Sequence, residues 1–129
     1  MRARTTRAAG YHSEVARLIK VVPKTWGEEH WIHNDEKYCG KKLILKAGKS
    51  SSLHFHVKKH ETLYVESGQV KMEIVRDAKR ETILMNPGDF IEVTPGLVHR
   101  FEGVVDSEMM EFSTEHFEED SYRIERPPN

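Results

Sequence analysis

The chain has 129 residues, with 20 basic and 21 acidic side chains, a formal net charge of -1 and 37% hydrophobic residues. That length predicts one domain with a modest core, and the nearly cancelled charge gives no bias toward nucleic acid or an anionic membrane. No apolar run approaches the roughly eighteen residues of a membrane span.

In chain order, residues 1–14 read as a flexible basic segment, residues 15–124 as the folded domain and residues 125–129 as a tail. No signal-peptide core is expected at the N-terminus. Ser13 can cap a short helical turn over Ser13–Arg17. Beyond it, turn signals recur at short intervals: Pro23, Gly27, Asn34-Asp35, Gly40, Gly48, Gly68, Asp77, Asn86-Pro87-Gly88-Asp89, Pro95-Gly96 and Gly103. Between them lie runs of about four to eight residues rich in β-branched and aromatic types, the spacing of an all-β sandwich or barrel. Val70, Met72 and Ile74 alternate with Lys71, Glu73 and Val75, and Leu63 and Val65 with Thr62, Tyr64 and Glu66, so each run has one face for a core. Cys39 is the single cysteine and reads as a small buried hydrophobe. It allows no intrachain disulfide, which fits a reducing compartment, and the cytoplasm is the expected location. Near the end, Thr114 can cap a second short helix over Ser113–Asp120, and the acids from Asp106 to Glu125 read as a solvated face.

Four side chains carry the chemistry. His54 and His56 are two residues apart, so on a strand they share one face. Lys58 and Lys59 suggest an exposed hairpin tip, after which Glu61 returns on the face of Leu63 and Val65. An unpaired carboxylate there is costly, and a cation is its natural partner. His99, beyond the Pro95-Gly96 turn, supplies a third imidazole. Three imidazoles and a carboxylate suit one divalent transition metal per chain: iron, manganese, cobalt, nickel or zinc. Alternation places His60 on the opposite face from Glu61, outside that set, and His12, His30, His33 and His116 read as surface histidines.

Gly48 through Gly68 fits the first cupin motif, G-x5-H-x-H-x4-E-x6-G, at every fixed position. Gly88, Gly96 and His99 fall in register with the second motif, G-x5-P-x-G-x2-H-x3-N, whereas Thr94 stands in place of its proline and Gly103 in place of its asparagine. The chain thus resembles the cupins. This resemblance implies a jelly-roll β-barrel (a double-stranded β-helix) with a metal in its mouth, short helical segments remaining at the ends. It also implies a homodimer, for which Val15–Val22 is the candidate exchanged edge strand.

Within that superfamily the chain is similar to type II mannose-6-phosphate isomerase and related sugar-phosphate isomerases. The similarity rests on Lys24-Thr25-Trp26-Gly27, on Pro95-Gly96-Leu97-Val98-His99-Arg100-Phe101-Glu102, and on Met110 through Thr114 with Asp120 through Arg123. One position departs: His54 stands where that group commonly has glutamine. The resemblance implies a metal-dependent isomerase or epimerase acting on a small carbohydrate substrate through an enediolate. Such a reaction needs a base, and the resemblance puts Glu111 inside the barrel in that role. Alternation alone equally allows Glu111 outside, with Met110 and Phe112 inward. Arg100 is a candidate to grip a phosphate, and Tyr64 and Lys46 are candidates to bond substrate hydroxyls. The same ligand set also serves a mononuclear iron oxygenase or a non-catalytic metal- and carbohydrate-binding cupin. Polar walls would favour the isomerase, and a wall of Met72, Met110, Phe112 and Phe101 an apolar substrate.

Overall fold

The computed structural model describes residues 19–128. The basic N-terminal segment, the helical turn expected over Ser13–Arg17 and the first half of the candidate exchanged strand lie outside them. Two antiparallel sheets face each other. One runs, in spatial order, β1 (Lys20–Lys24), β2 (Gly27–Asn34), β3 (Cys39–Leu45), β10 (Ser107–Ser113), β5 (Glu61–Ser67) and β8 (Phe90–Val93). The other runs β11 (Tyr122–Glu125), β4 (Leu53–Phe55), β9 (Val98–Gly103), β6 (Val70–Arg76) and β7 (Lys79–Met85). The expected all-β barrel is the observed one.

Period-two alternation builds the interior. Leu43 and Leu45 of β3, Leu63 and Val65 of β5, Val70, Met72 and Ile74 of β6 and Met109 of β10 all point between the sheets, where Trp26, Met85, Val93 and Phe101 complete the core. Trp26 meets Phe101 edge-on at 5.0 Å. The interior is divided along its length. Glu111 lies opposite both Lys41 and Leu63, Ser113 lies opposite Glu61, and Met109 lies opposite Leu43 and Val65. Along these three strands Lys41, Glu61, Glu111 and Ser113 gather toward one end, and Leu43, Leu45, Val65 and Met109 toward the other. A closed apolar end lets the barrel fold, and the polar end is left for chemistry.

Two turns depend on glycine. In Thr94-Pro95-Gly96-Leu97, the Leu97 amide donates to the Thr94 carbonyl at 3.1 Å and Gly96 adopts φ 89°, the positive angle that glycine allows. Proline at the second position is favoured in such a turn, which accounts for its place one residue after the motif's own. The Gly96 amide then donates to the His56 carbonyl at 2.6 Å, tying the entry of β9 to the first histidine pair. Gly68 is required for space as well as for its φ of 86°: a Cβ there would lie 2.2 Å from Ser107 Oγ.

Among the described residues there is no helix. The helix expected over Ser113–Asp120 is absent because its backbone groups have tertiary partners. Ser113 closes β10, the Thr114 amide donates to the His60 carbonyl at 3.0 Å, and the His116 amide donates to Asn34 Oδ1 at 2.8 Å. Glu125 belongs to β11 and not to the tail. The acidic end is also less solvated than expected, since Glu111 and Asp120 are both buried.

Candidate metal centre

His54 lies on β4, His99 on β9, and the two are directly opposite in register. His56 follows β4, and Glu61 opens β5 across the barrel. All four side chains are buried. One nitrogen from each of the three histidines lies within 4.8 Å of the other two, an arrangement that can hold a metal ion. Glu61 Oε2 lies 3.4 Å from His56 Nε2 and 3.5 Å from His99 Nε2.

The ring orientations carry the argument. His54 Nδ1 donates to the Ser52 carbonyl at 2.7 Å, His56 Nδ1 to the Asp120 carbonyl at 2.8 Å, and His99 Nδ1 to the Leu97 carbonyl at 2.9 Å. A carbonyl only accepts, so each Nδ1 carries the proton and each Nε2 presents a lone pair. Three lone pairs converging beside a carboxylate repel one another unless a cation lies among them. Two donors each about 2.1 Å from a shared ion stand roughly 3.0–3.4 Å apart, close to the spacings seen here. The residues present fit a divalent metal.

Charge states agree. Burial, and then the neighbouring His99, push His54 down to about 3, so it stays a neutral ligand. Burial alone would raise the Glu61 carboxyl, but the attraction of the Lys59 ammonium leads the interactions that outweigh it and hold Glu61 well below the carboxylate range.

The surrounding cavity is about 390 Å³. Besides the histidines and Glu61, its polar wall includes Ser52, Lys59, Glu111 and His116, and its apolar wall includes Trp26, Leu43, Leu63 and Phe101. Met110 and Phe112 face outward from β10, so the wholly apolar wall considered from sequence does not form. Glu111 is inside the barrel, where its Oε2 accepts from Lys59 Nζ and Ser113 Oγ, each at 3.0 Å.

Three expected substrate contacts do not reach this cavity. Arg100 alternates with the inward His99 and Phe101, so it points outside and bonds Glu73 through Nε at 3.2 Å and Nη2 at 2.8 Å. Tyr64 is exposed on the outer face of β5, and Lys46 is exposed just beyond β3.

Conversely, the site recruits residues that sequence reasoning passed over. Lys59, expected at an exposed tip, is 4% exposed, with Nζ 3.0 Å from Glu111 Oε2 and 3.7 Å from Glu61 Oε1. Burial would lower its pKa, but Glu111 and Glu61 outweigh that and raise it, so it remains an ammonium. Counting back by two from Glu61 gives Lys59, a signal present in the alternation. Asp120 is buried beneath this hairpin. It accepts from the Val57 amide at 2.9 Å, the Lys58 amide at 3.1 Å and the Lys59 amide at 3.0 Å. His116, read as a surface residue, lines the cavity 3.3 Å from Lys59 Nζ. No local pattern marks Asp120 or His116 as part of the site, because the partners that place them there, His56 and Lys59, are more than fifty residues away.

The cupin-domain family profile matches residues 42–114, more than half of the chain. The chain belongs to the cupins. Among solved structures, this cupin is similar to the capsular polysaccharide assembling protein CapF from Staphylococcus aureus, at 17% identity and a TM-score of 0.75. That likeness covers 87% of this chain and 34% of CapF. Oxalate decarboxylase from Bacillus subtilis is similar at 17% identity and a TM-score of 0.72, over 88% of this chain and 33% of that one. The oxalate decarboxylase of Lactobacillus farciminis, solved as a formate complex, gives 18% identity and a TM-score of 0.71, over 88% and 38%. The cupin thus spans about a third of each of these proteins, and at such identities the likeness is one of fold. No curated protein matches the chain.

Proposed function

We propose that this cupin is a metal-dependent isomerase or epimerase acting on a sugar or sugar phosphate, with His54, His56, Glu61 and His99 holding one divalent ion. The observation that carries this reading is the buried Lys59–Glu111 pair, which opens onto the same cavity as the three histidines. A proton-transferring carboxylate and a fixed ammonium beside a metal-binding cluster suit chemistry next to a carbonyl. The motif resemblance to type II mannose-6-phosphate isomerase points the same way. When bound, the ion would supply Lewis-acid stabilisation of a substrate oxygen.

The remaining work falls to the chain's own side chains. Glu111 takes the proton from the substrate carbon and returns it to the neighbouring one. Lys59 and Ser113 hold the Glu111 carboxylate in place through Oε2. The apolar wall of Trp26, Leu43, Leu63 and Phe101 limits water at the reacting carbons.

The test is solvent-proton exchange. Metal-replete protein incubated with aldoses and their phosphates in deuterated water should incorporate deuterium at the carbon beside the carbonyl. Glu111→Gln should slow that exchange by about 10²–10⁴-fold. No incorporation into any aldose, phosphorylated or not, would remove the isomerase reading.

A second reading, a mononuclear iron oxygenase, is supported by the same donors together with the apolar wall. Oxygen uptake by the iron-loaded protein on small acids or diketones, without proton exchange on sugars, would favour it.

A further inference from the structure

We infer that Arg123 is the specificity-determining contact of this cavity and that it selects ligands carrying a carboxylate or phosphate away from their metal-binding atoms. The inference rests on the metal reading above and names the class of ligand. Arg123 lies on β11 directly opposite His54 of β4. Opposed residues of an antiparallel pair point to the same face of the sheet, so the Arg123 side chain rises on the face that carries the His54 ring. The neighbouring pair shows the alternation: Tyr122 lies opposite Phe55, and their rings stack at 5.2 Å on the other face. Arg123 accordingly lines the cavity while remaining exposed at its mouth.

Its neighbours make it available. The other cations of the cavity wall have acidic partners: Lys59 is held by Glu111 at 3.0 Å, and Lys24 Nζ lies 3.9 Å from Glu29 Oε2. Arg100 is held by Glu73 on the outer face. Arg123 has no acidic partner among the described residues. A planar guanidinium offers paired donors that match the two oxygens of a carboxylate or a phosphate. A ligand bridging the histidine cluster and Arg123 would be oriented by its two ends, which is the role once expected of Arg100.

Hydroxamates that chelate the metal test this. Acetohydroxamate has a neutral far end, succinate monohydroxamate a carboxylate and phosphonoacetohydroxamate a phosphonate. Titrated into the cobalt-loaded protein by calorimetry, the two anionic compounds should bind more tightly than acetohydroxamate. Arg123→Gln should weaken both by about ten- to hundredfold while leaving acetohydroxamate binding, metal content and melting temperature unchanged. Loss for only one of them identifies the anion that Arg123 selects. Equal weakening of all three by Arg123→Gln, or no preference for the anionic compounds in the wild type, would overturn the role of Arg123 and leave the metal centre standing. Failure of the cobalt-loaded wild type to bind acetohydroxamate would mean that the ion offers no open coordination position toward the cavity, and would overturn this inference.

Discussion

His54 and His99 sit directly opposite each other across β4 and β9, with ring centroids 4.4 Å apart. They come from the two separate motif segments, and antiparallel pairing turns that separation into contact. A slip of one residue would send one ring to the outer face and dissolve the cluster. The carbonyl bonds at each Nδ1 then fix which nitrogen faces the centre.

The first expectation concerns metal content. Purified under metal-replete conditions, the wild type should hold about one divalent ion per chain, and His56→Ala or His99→Ala should reduce that at least tenfold by elemental analysis. Equal content in all three proteins would remove these residues from the ligand set.

Asp120 acts on the site from beneath. Its carboxylate accepts three successive amides, and its carbonyl accepts from His56 Nδ1. Asp120→Ala should lower unfolding stability by about 1.5–3 kcal/mol. It should also weaken metal affinity by about ten- to hundredfold, since the hairpin that orients His56 loses its anchor. Urea unfolding and a competitive metal titration measure the two effects separately.

Lys59 neutralises two buried carboxylates, Glu61 and Glu111. Lys59→Met should cost the metal-free protein about 3–5 kcal/mol, because uncompensated charges remain buried. A bound divalent ion partly replaces the ammonium, so the loss should be smaller in the metal-loaded form. An equal loss in both forms would mean that the cation does not sit beside Glu61.

On the outer face of the second sheet, Glu73 bonds both Arg100 and Arg80. Burial would raise its carboxyl, but the hydrogen bonds from Arg100 and Arg80 outweigh that and hold it below its ordinary value. A carboxyl depressed in the folded state contributes stability above its unfolded pKa and loses it as pH falls through the folded value. The stability difference between wild type and Glu73→Gln should therefore be largest near neutrality and shrink below about pH 4. A difference that stays constant down to pH 3 would contradict the pairing.

The β6–β7 hairpin is closed by Asp77 and Ala78, with φ of 52° and 64°. Such a two-residue turn favours glycine, and alanine at positive φ is strained. Ala78→Gly should stabilise the protein by about 0.5–1 kcal/mol, read as a rise in melting temperature.

Much of the interior was legible in the chain because strand alternation is a local property. Leu63, Val65, Val70, Met72 and Ile74 occupy the faces that period two assigns them. The clustering of His54, His56 and His99 followed from spacing and motif. Local pattern failed where partners are distant. Thr114 through Asp120 carries a helix-like cap and acids, yet its amides and carbonyls are taken by Asn34, His56 and His60. The alternation around Arg100 was readable and places it outside, but adjacency to His99 was the stronger cue and misled.

Residue type and a period of two are enough to specify the all-β class, the inward faces and the histidine cluster. The tertiary structure alone decided the charge economy around the cluster: that Lys59 is buried between two glutamates, that Asp120 anchors His56, and that Arg123 replaces Arg100 at the cavity. Pairing of strands remote in sequence sets those contacts, and strand register is written in no single segment.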